Sequence, residues 1–421
     1  MATETLPRLR IAIIGGGIGG ITLANGLVRI PHLDIHVFES KPDFSERGAA
    51  VGLSGNAMRA LEHLLPSVTE TLDKAGGTRN GSCFTLGSGA YAGTVLLSSD
   101  PNDSSRVVHR ASLLRELLAP LPKSILHANK QLTLITPKED DVELAFKDGA
   151  VETFDVVIGA DGIFSTVRKY VLQDELGEYS ASPTGFWDCR NMVPIEKVRQ
   201  VFEDKSEEYF GVHRQYGWFG DRGFIMHDVV DNGTMVQCVI AGVEGEPAKD
   251  RHRDLTRDFL ETELKSWLDG PIGRKMIDVL LDQPNPQAYS QWDHKATPTY
   301  VNGRVCIMGD AAHAMTPWQG AGAGQALEDS VVLATLFEHI TLTKDIDAAL
   351  TAYDTVRRPR AQKIIDSSRG SGLIMCGQDP EASVTPAGIG KALAGRWDFI
   401  NSVDIPSHKE EALSKLRELQ A

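Results

Sequence analysis

The feature that most constrains this chain is a glycine triplet, Gly15-x-Gly17-x-x-Gly20, directly behind a short apolar run at residues 10–14. Ile21, Ala24, Leu27 and Val28 then recur at helical spacing, and residues 33–39 read as a second buried strand. A strand, a tight glycine turn and a helix leading to a second strand form a βαβ unit. The helix N-terminus of such a unit presents unpaired backbone N–H groups to a pyrophosphate. Glu39 stands at the end of the second strand, where a carboxylate accepts hydrogen bonds from a ribose 2′-hydroxyl. A carboxylate there repels a 2′-phosphate, so the bound nucleotide is FAD or NAD.

A second motif chooses between them. Residues 304–308 read as a buried strand that ends at Gly309-Asp310 and opens into a small-residue loop with Pro317, Gly320, Gly322 and Ala323. Asp310 is placed to hydrogen-bond the ribityl chain of a flavin. The helix N-terminus after Pro317 offers partial positive charge to the N1–C2 carbonyl end of the ring. His313 sits inside this loop and reads as structural. A third motif, the strand 155–158 ending at Gly159-Ala160-Asp161-Gly162, reads as a further nucleotide-contacting loop. Only one βαβ fingerprint is present.

The remaining texture places these motifs. Residues 142–154 form a hairpin about Asp148-Gly149. Residues 180–294 are rich in aromatic and β-branched residues, with strand-like runs at 223–230 and 234–241 that suit an antiparallel sheet. Helices are expected from about 325 to 340 and over 343–370, with a bend at Arg357-Arg358-Pro359-Arg360. The expected fold is α/β: a Rossmann-like FAD-binding domain with an inserted, mainly antiparallel substrate domain and C-terminal helices. The expected division is 1–178 and 295–375 for the FAD-binding domain, 179–294 for the substrate domain and 376–421 for a helical tail, with 80–103 open to joining the substrate domain.

Charge and cysteine usage exclude other classes. A net charge of −14 argues against a nucleic-acid or anionic-membrane partner, each of which needs a basic face. The five cysteines are scattered and form no CxxC, so they read as free thiols in a reducing compartment rather than a disulfide frame, a metal site or a redox pair. No apolar run approaches the ~18 residues of a membrane span, and the polar N-terminus lacks the apolar stretch of a signal peptide. The expectation is a cytoplasmic monomer or homodimer.

Together the three motifs resemble the class A flavoprotein monooxygenases, the salicylate and para-hydroxybenzoate hydroxylase family. The resemblance extends through Arg47-Gly48-Ala49-Ala50-Val51-Gly52-Leu53 with Asn56, through Val108-His109-Arg110, and through residues 357–360. Residues 316–329 look closest to the salicylate hydroxylase branch, with Trp318 where that branch more often carries His or Tyr. The resemblance implies that Glu39 contacts the adenosine ribose and Arg110 the phosphate–ribityl region. It also implies that the Ala50 and Gly52 backbone lies along the flavin, and that Asp310 with residues 320–323 holds the ribityl chain and ring.

On the substrate side, the resemblance assigns Arg190 to an anionic or phenolate substrate, and His227 and Asp228 to the flavin-facing position. Asp228 replaces a Tyr of relatives, which points away from a Tyr-dependent dearomatising reaction. His227 is the expected base for a phenol. From the residues alone, a structural ion pair at Arg190 and a cross-strand polar pair at His227 and Asp228 stand equally open. The implied chemistry is hydroxylation of a small aromatic substrate through a C4a-hydroperoxyflavin, with FAD as cofactor and NAD(P)H and O2 as co-substrates. A salicylate-like substrate is favoured over an indole or polyketide-derived scaffold, and over a flavin reductase, dehydrogenase or nucleotide sensor.

Overall fold

The computed structural model describes residues 8–45, 50–79, 81–100, 105–382 and 385–421. Its nucleotide layer is a six-stranded sheet in the order Val301–Asn302, Val305–Ile307, Val156–Gly159, Leu9–Ile14, Leu33–Phe38, Leu126–His127. All neighbours run parallel except the first pair. Leu9–Ile14 is central, which is why Ile11, Ala12 and Ile13 are all fully buried. A parallel strand covered on both faces needs a continuous apolar run rather than alternation. The helix Ile18–Leu27 packs between this sheet and the helix Gly322–Glu338. Gly26 permits that approach, since a Cβ there would lie 2.8 Å from Leu64 and 3.1 Å from Ala334. The expected hairpin is present as Val142–Phe146 against Val151–Phe154, turning at Gly149 with φ +87°.

The second layer is an eight-stranded sheet in the order His252–Asp254, Gln287–Asp293, Ser182–Pro194, Met235–Val243, Gly223–Val230, Arg214–Gly220, Gly81–Leu86, Val95–Ser98. It is antiparallel except where Arg214–Gly220 meets Gly81–Leu86. Two strands from residues 81–98 therefore extend the sheet formed mainly by residues 182–293. One face packs on the helices Ile195–Phe202, Arg257–Glu263 and Gly273–Leu281 through Trp267, Met276 and Ile277. The other face is turned toward the nucleotide layer.

The expected bend at residues 357–360 falls inside a continuous helix. One helix, Ile346–Met375, runs through Pro359 for 30 residues. An interior proline costs about 3 kcal/mol. The flanking arginines anchor the helix around it: Arg357 pairs with Glu328 and Asp329, Arg358 with Asp354, and Arg360 with Glu328. The tail forms the helices Pro386–Leu393, Asp398–Asn401 and Ile405–Gln420. Among the described residues no helix is long and apolar enough to cross a membrane, and all five cysteines are buried and free.

Candidate active site

Between the two layers runs a cleft of about 1150 Å³. Its nucleotide end is made by the glycine turn. Gly15 has φ +117°, and a Cβ there would sit 2.2 Å from the Ala160 carbonyl oxygen, so the first and third motifs touch through backbone alone. A Cβ at Gly20 would lie 2.1 Å from the Gly15 carbonyl oxygen, and Gly17 caps the helix that follows. Glu39 lines this end. Its carboxylate accepts from the Gly16 N–H at 2.9 Å, the Lys41 N–H at 2.8 Å and the Ser40 hydroxyl at 3.1 Å. Those bonds fix the carboxylate where a ribose would meet it.

The third motif contributes backbone more than charge. Asp161 lines the cleft, yet its carboxylate is turned to the start of the helix Thr166–Leu172, accepting from Thr166 N–H at 2.7 Å, Val167 N–H at 3.2 Å and the Ser165 hydroxyl. In the helix that follows the same motif, Arg168 Nη1 donates to the Ala311 and Ala312 carbonyls at 2.9 Å each. The second and third motifs are thereby held together. Asp310 opens a short helix at the cleft surface. His313 is fully buried behind it and pairs with Asp329, so it stands in the scaffold of the loop and not in the cleft.

Ala50, Gly52, Arg110, Pro317, Gly320, Gly322 and Ala323 form the middle of the cleft. Arg47, Gly48 and Ala49 lie outside the described residues. A Cβ at Gly52, Gly162 or Gly320 would meet no protein atom within 4 Å. All three border the cleft, so the chain leaves backbone-lined room there that a side chain would fill. That cradle, the helix N-terminus at Gly17 and the fixed Glu39 fit an elongated dinucleotide carrying a planar ring. Gln237 ties the cradle to the second layer: its Oε1 accepts the Ala50 N–H at 2.8 Å and its Nε2 donates to Asp228 at 3.1 Å.

The sheet face of the cleft follows from strand alternation. On Gly223–Val230, Phe224, Met226 and Asp228 border the cleft. Ile225, His227 and Val229 point the other way, into the helix-covered core. His227 is 0% exposed, stacks on Tyr216 at 4.8 Å and 11°, and receives only the Trp218 indole N–H, at 3.4 Å. Burial pushes its pKa down to about 3. The expected base at His227 is therefore corrected: the residue lies on the opposite face of the strand, and the cleft-facing member of the pair is Asp228.

Arg190 does border the cleft, 40% exposed, with Nε 3.1 Å from Asp188, which also accepts from Gln291 at 3.0 Å. It stands at one end of a cross-strand row, Arg190–Val239–Met226–Gly217–Phe84. Gly217 belongs there because a Cβ would strike the Phe84 ring at 2.7 Å. Trp318 closes the opposite wall, edge-on to Phe186 at 4.9 Å and Phe224 at 5.6 Å. Sequence reasoning missed Phe84, Gln237 and Trp397. Each comes from a segment without a motif; aromatic content was the available signal for Phe84 and Trp397, and Gln237 had none beyond its place in the strand-like run 234–241.

Comparison with known proteins identifies the family. A family profile described as an FAD binding domain matches residues 8–368. The chain is 33% identical over 430 aligned residues to a 6-methylsalicylate 1-monooxygenase of Aspergillus terreus, covering 97% of this chain and 92% of that protein. A salicylate hydroxylase of Pseudomonas putida is 31% identical, over 97% of this chain and 95% of its own length. The solved structure of a salicylate hydroxylase substrate complex superposes with a TM-score of 0.83 at 27% identity, covering 96% of this chain and 98% of that one.

Proposed function

The chain belongs to the FAD-dependent aromatic monooxygenases built on this FAD binding domain, and on that premise we propose that its substrate is a small phenol bearing an acidic group, as salicylate does. The observation that carries the substrate reading is the row of cleft-facing residues with a single cation at one end. Arg190 lies two strands from Met226, and strands are spaced about 4.8 Å apart. A ring over Met226 and Val239 is then within reach of the guanidinium through its carboxylate, while its other edge meets Phe84, Phe224 and Trp318.

FAD would be held by Glu39 at the ribose, by Arg110 and Asp310 along the phosphate–ribityl chain, and by the backbone at Ala50, Gly52, Gly320, Gly322 and Ala323 around the ring. When bound, it passes two electrons from NAD(P)H to O2 and supplies one oxygen atom to the substrate, the other leaving as water. The protein's own residues bind and orient the ring and exclude water from it. Asp228 accepts the phenolic proton in this reading. Gln237 donates to the same carboxylate and holds it against the strand that carries Ala50. With salicylate the balanced reaction is salicylate, NADH, O2 and two protons giving catechol, CO2, NAD+ and water. The free buried thiols support a cytoplasmic setting.

The test is NAD(P)H oxidation and O2 uptake by the purified holoenzyme with salicylate, other hydroxybenzoates, simple phenols and indoles, each with product analysis. Uptake stimulated by salicylate and matched by catechol supports the reading. Stimulation only by neutral phenols or indoles would remove the acidic group from the substrate class.

A further inference from the structure

The family match ends at residue 368, yet the cleft is completed by residues beyond it. Gly390, Leu393, Gly395, Trp397 and Asp398 all line it. The Trp397 ring lies over Phe84 with centroids 6.3 Å apart and planes at 29°. Phe84 is 5.1 Å from Phe219, and both belong with Phe224, Trp318, Leu393 and Trp397 to one apolar cluster. This is the end of the cleft where the substrate ring of the preceding section makes its contacts.

Trp397 is held in place by its surroundings. Gly395, at φ +73°, makes the turn after the helix Pro386–Leu393, and the Asn401 N–H donates to the Trp397 carbonyl at 2.9 Å. Gln319 Nε2 donates to the Arg396 carbonyl at 2.9 Å, tying the segment to the loop that carries Pro317 and Gly320. Arg360 donates to the Phe399 and Ile400 carbonyls at 2.8 and 3.0 Å. The same guanidinium pairs with buried Glu328 at 2.7 Å, on the helix that begins at Gly322. The roof is therefore fastened to the elements of the flavin cradle.

We propose that Trp397 sets the upper size limit of the substrate ring, so that the cleft selects single-ring phenols over fused bicyclic ones. The physical reason is spacing. Aromatic carbons in contact stand about 3.5 Å apart, so a ring inserted between two others needs about 7 Å between their faces. The 6.3 Å between the Phe84 and Trp397 ring centres leaves no such slot. A single ring over Met226 and Val239 that stops at the edge of Phe84 therefore fits, while a second ring fused beyond that edge does not. The bonds on either side of Trp397 resist widening the gap. This inference rests on the phenol hydroxylase reading above.

The experiment uses holoenzyme of the wild type, Trp397→Ala and Trp397→Phe. Phenol, 1-naphthol, salicylate and 1-hydroxy-2-naphthoate are each titrated against the flavin absorbance spectrum. In Trp397→Ala, the Kd of 1-naphthol relative to phenol should fall by at least about tenfold, the scale on which a pocket rejects extra bulk. Trp397→Phe should lie between, and FAD retention should be unchanged. An unaltered ratio in a flavin-replete variant overturns the proposal. Wild type binding 1-naphthol as tightly as phenol overturns it too, as does absence of response to all four compounds. If Trp397→Ala loses its flavin, Trp397→Phe carries the test under the same criteria. If the neutral pair shows the shift while neither carboxylate binds, the size limit stands and the acidic-substrate reading falls.

Discussion

His313 and Asp329 make a fully buried hydrogen bond of 2.6 Å behind the loop that lines the cleft. Asp329 also accepts from the Gly309 N–H at 2.9 Å and from Arg357 Nε at 2.8 Å. Burial alone would raise its pKa, but His313 and Arg357 hold it well below the usual carboxylate range. One carboxylate thus orients the segment from which Asp310 projects, and Arg168 holds the same segment between those two contacts through the Ala311 and Ala312 carbonyls.

Asp329→Asn should therefore loosen both the core and the cofactor. Breaking one partner of a buried ion pair costs about 3–5 kcal/mol. Urea unfolding of the apoprotein should show a loss of that order, and FAD fluorescence titration a weaker Kd. An unchanged FAD Kd would separate the network from the cofactor site.

Gly52→Leu should yield a folded protein that does not retain flavin. A Cβ at this position meets no protein atom within 4 Å, and the residue borders the cleft. The melting temperature of the apoprotein should stay within a few degrees. FAD affinity should drop more than about tenfold, since the side chain fills space that backbone lines in the native cleft. Flavin absorbance after purification reads the outcome directly.

Arg190→Ala should raise the KM for a carboxylated phenol by about ten- to a hundredfold, the span of a charge-assisted contact worth about 1.5–3 kcal/mol. The kcat should change less, and Kd values for uncharged phenols should stay near wild type. Equal effects on charged and neutral phenols would assign Arg190 to its pair with Asp188 alone.

His227→Phe should leave the pH profile of kcat/KM unchanged, because the imidazole is on the core face of its strand. Its effect belongs to stability. Burial depresses His227 to about 3, burial and Arg168 depress His294 to about 3, and burial and Arg357 depress His408 to about 4. The unfolded chain takes up these protons from about pH 6.5 downward while the folded chain does not. Stability is therefore full above about pH 6.5 and falls as pH drops toward 3, by about 1 kcal/mol per pH unit for each histidine. Between pH 6.5 and about 4.5, above the carboxylate range, His227→Phe should show a shallower fall in urea stability. An identical slope would contradict the assignment.

The nucleotide half of the protein was readable in the sequence because its requirements are local. Gly15, Gly17 and Gly20 answer to backbone approach within one turn, and Glu39 to the end of one strand. Gly309-Asp310 and Asp161-Gly162 each follow a short apolar run that only a doubly covered parallel strand tolerates. Periodicity over residues 142–154 and 223–230 located strands for the same reason. Proline at 359 was legible as a local feature, but the ion pairs of Arg357 and Arg360 with Glu328 and Asp329 were not, because they join residues far apart in the chain.

The substrate half was decided by tertiary structure. His227 and Asp228 are adjacent, and both faces of Gly223–Val230 carry apolar residues, so the sequence gives no clue to which side meets the cleft. Register with Met235–Val243 turned Asp228 to the cleft and His227 to the core. Phe84 and Trp397 carry no motif, and they meet only because Gly81–Leu86 joins the large sheet while the tail folds back over it. The sequence by itself determined the flavin-binding class of the fold and placed its glycines along the cleft. Which side chains face the reacting ring depended on long-range strand pairing and on a C-terminal roof, which no local pattern records.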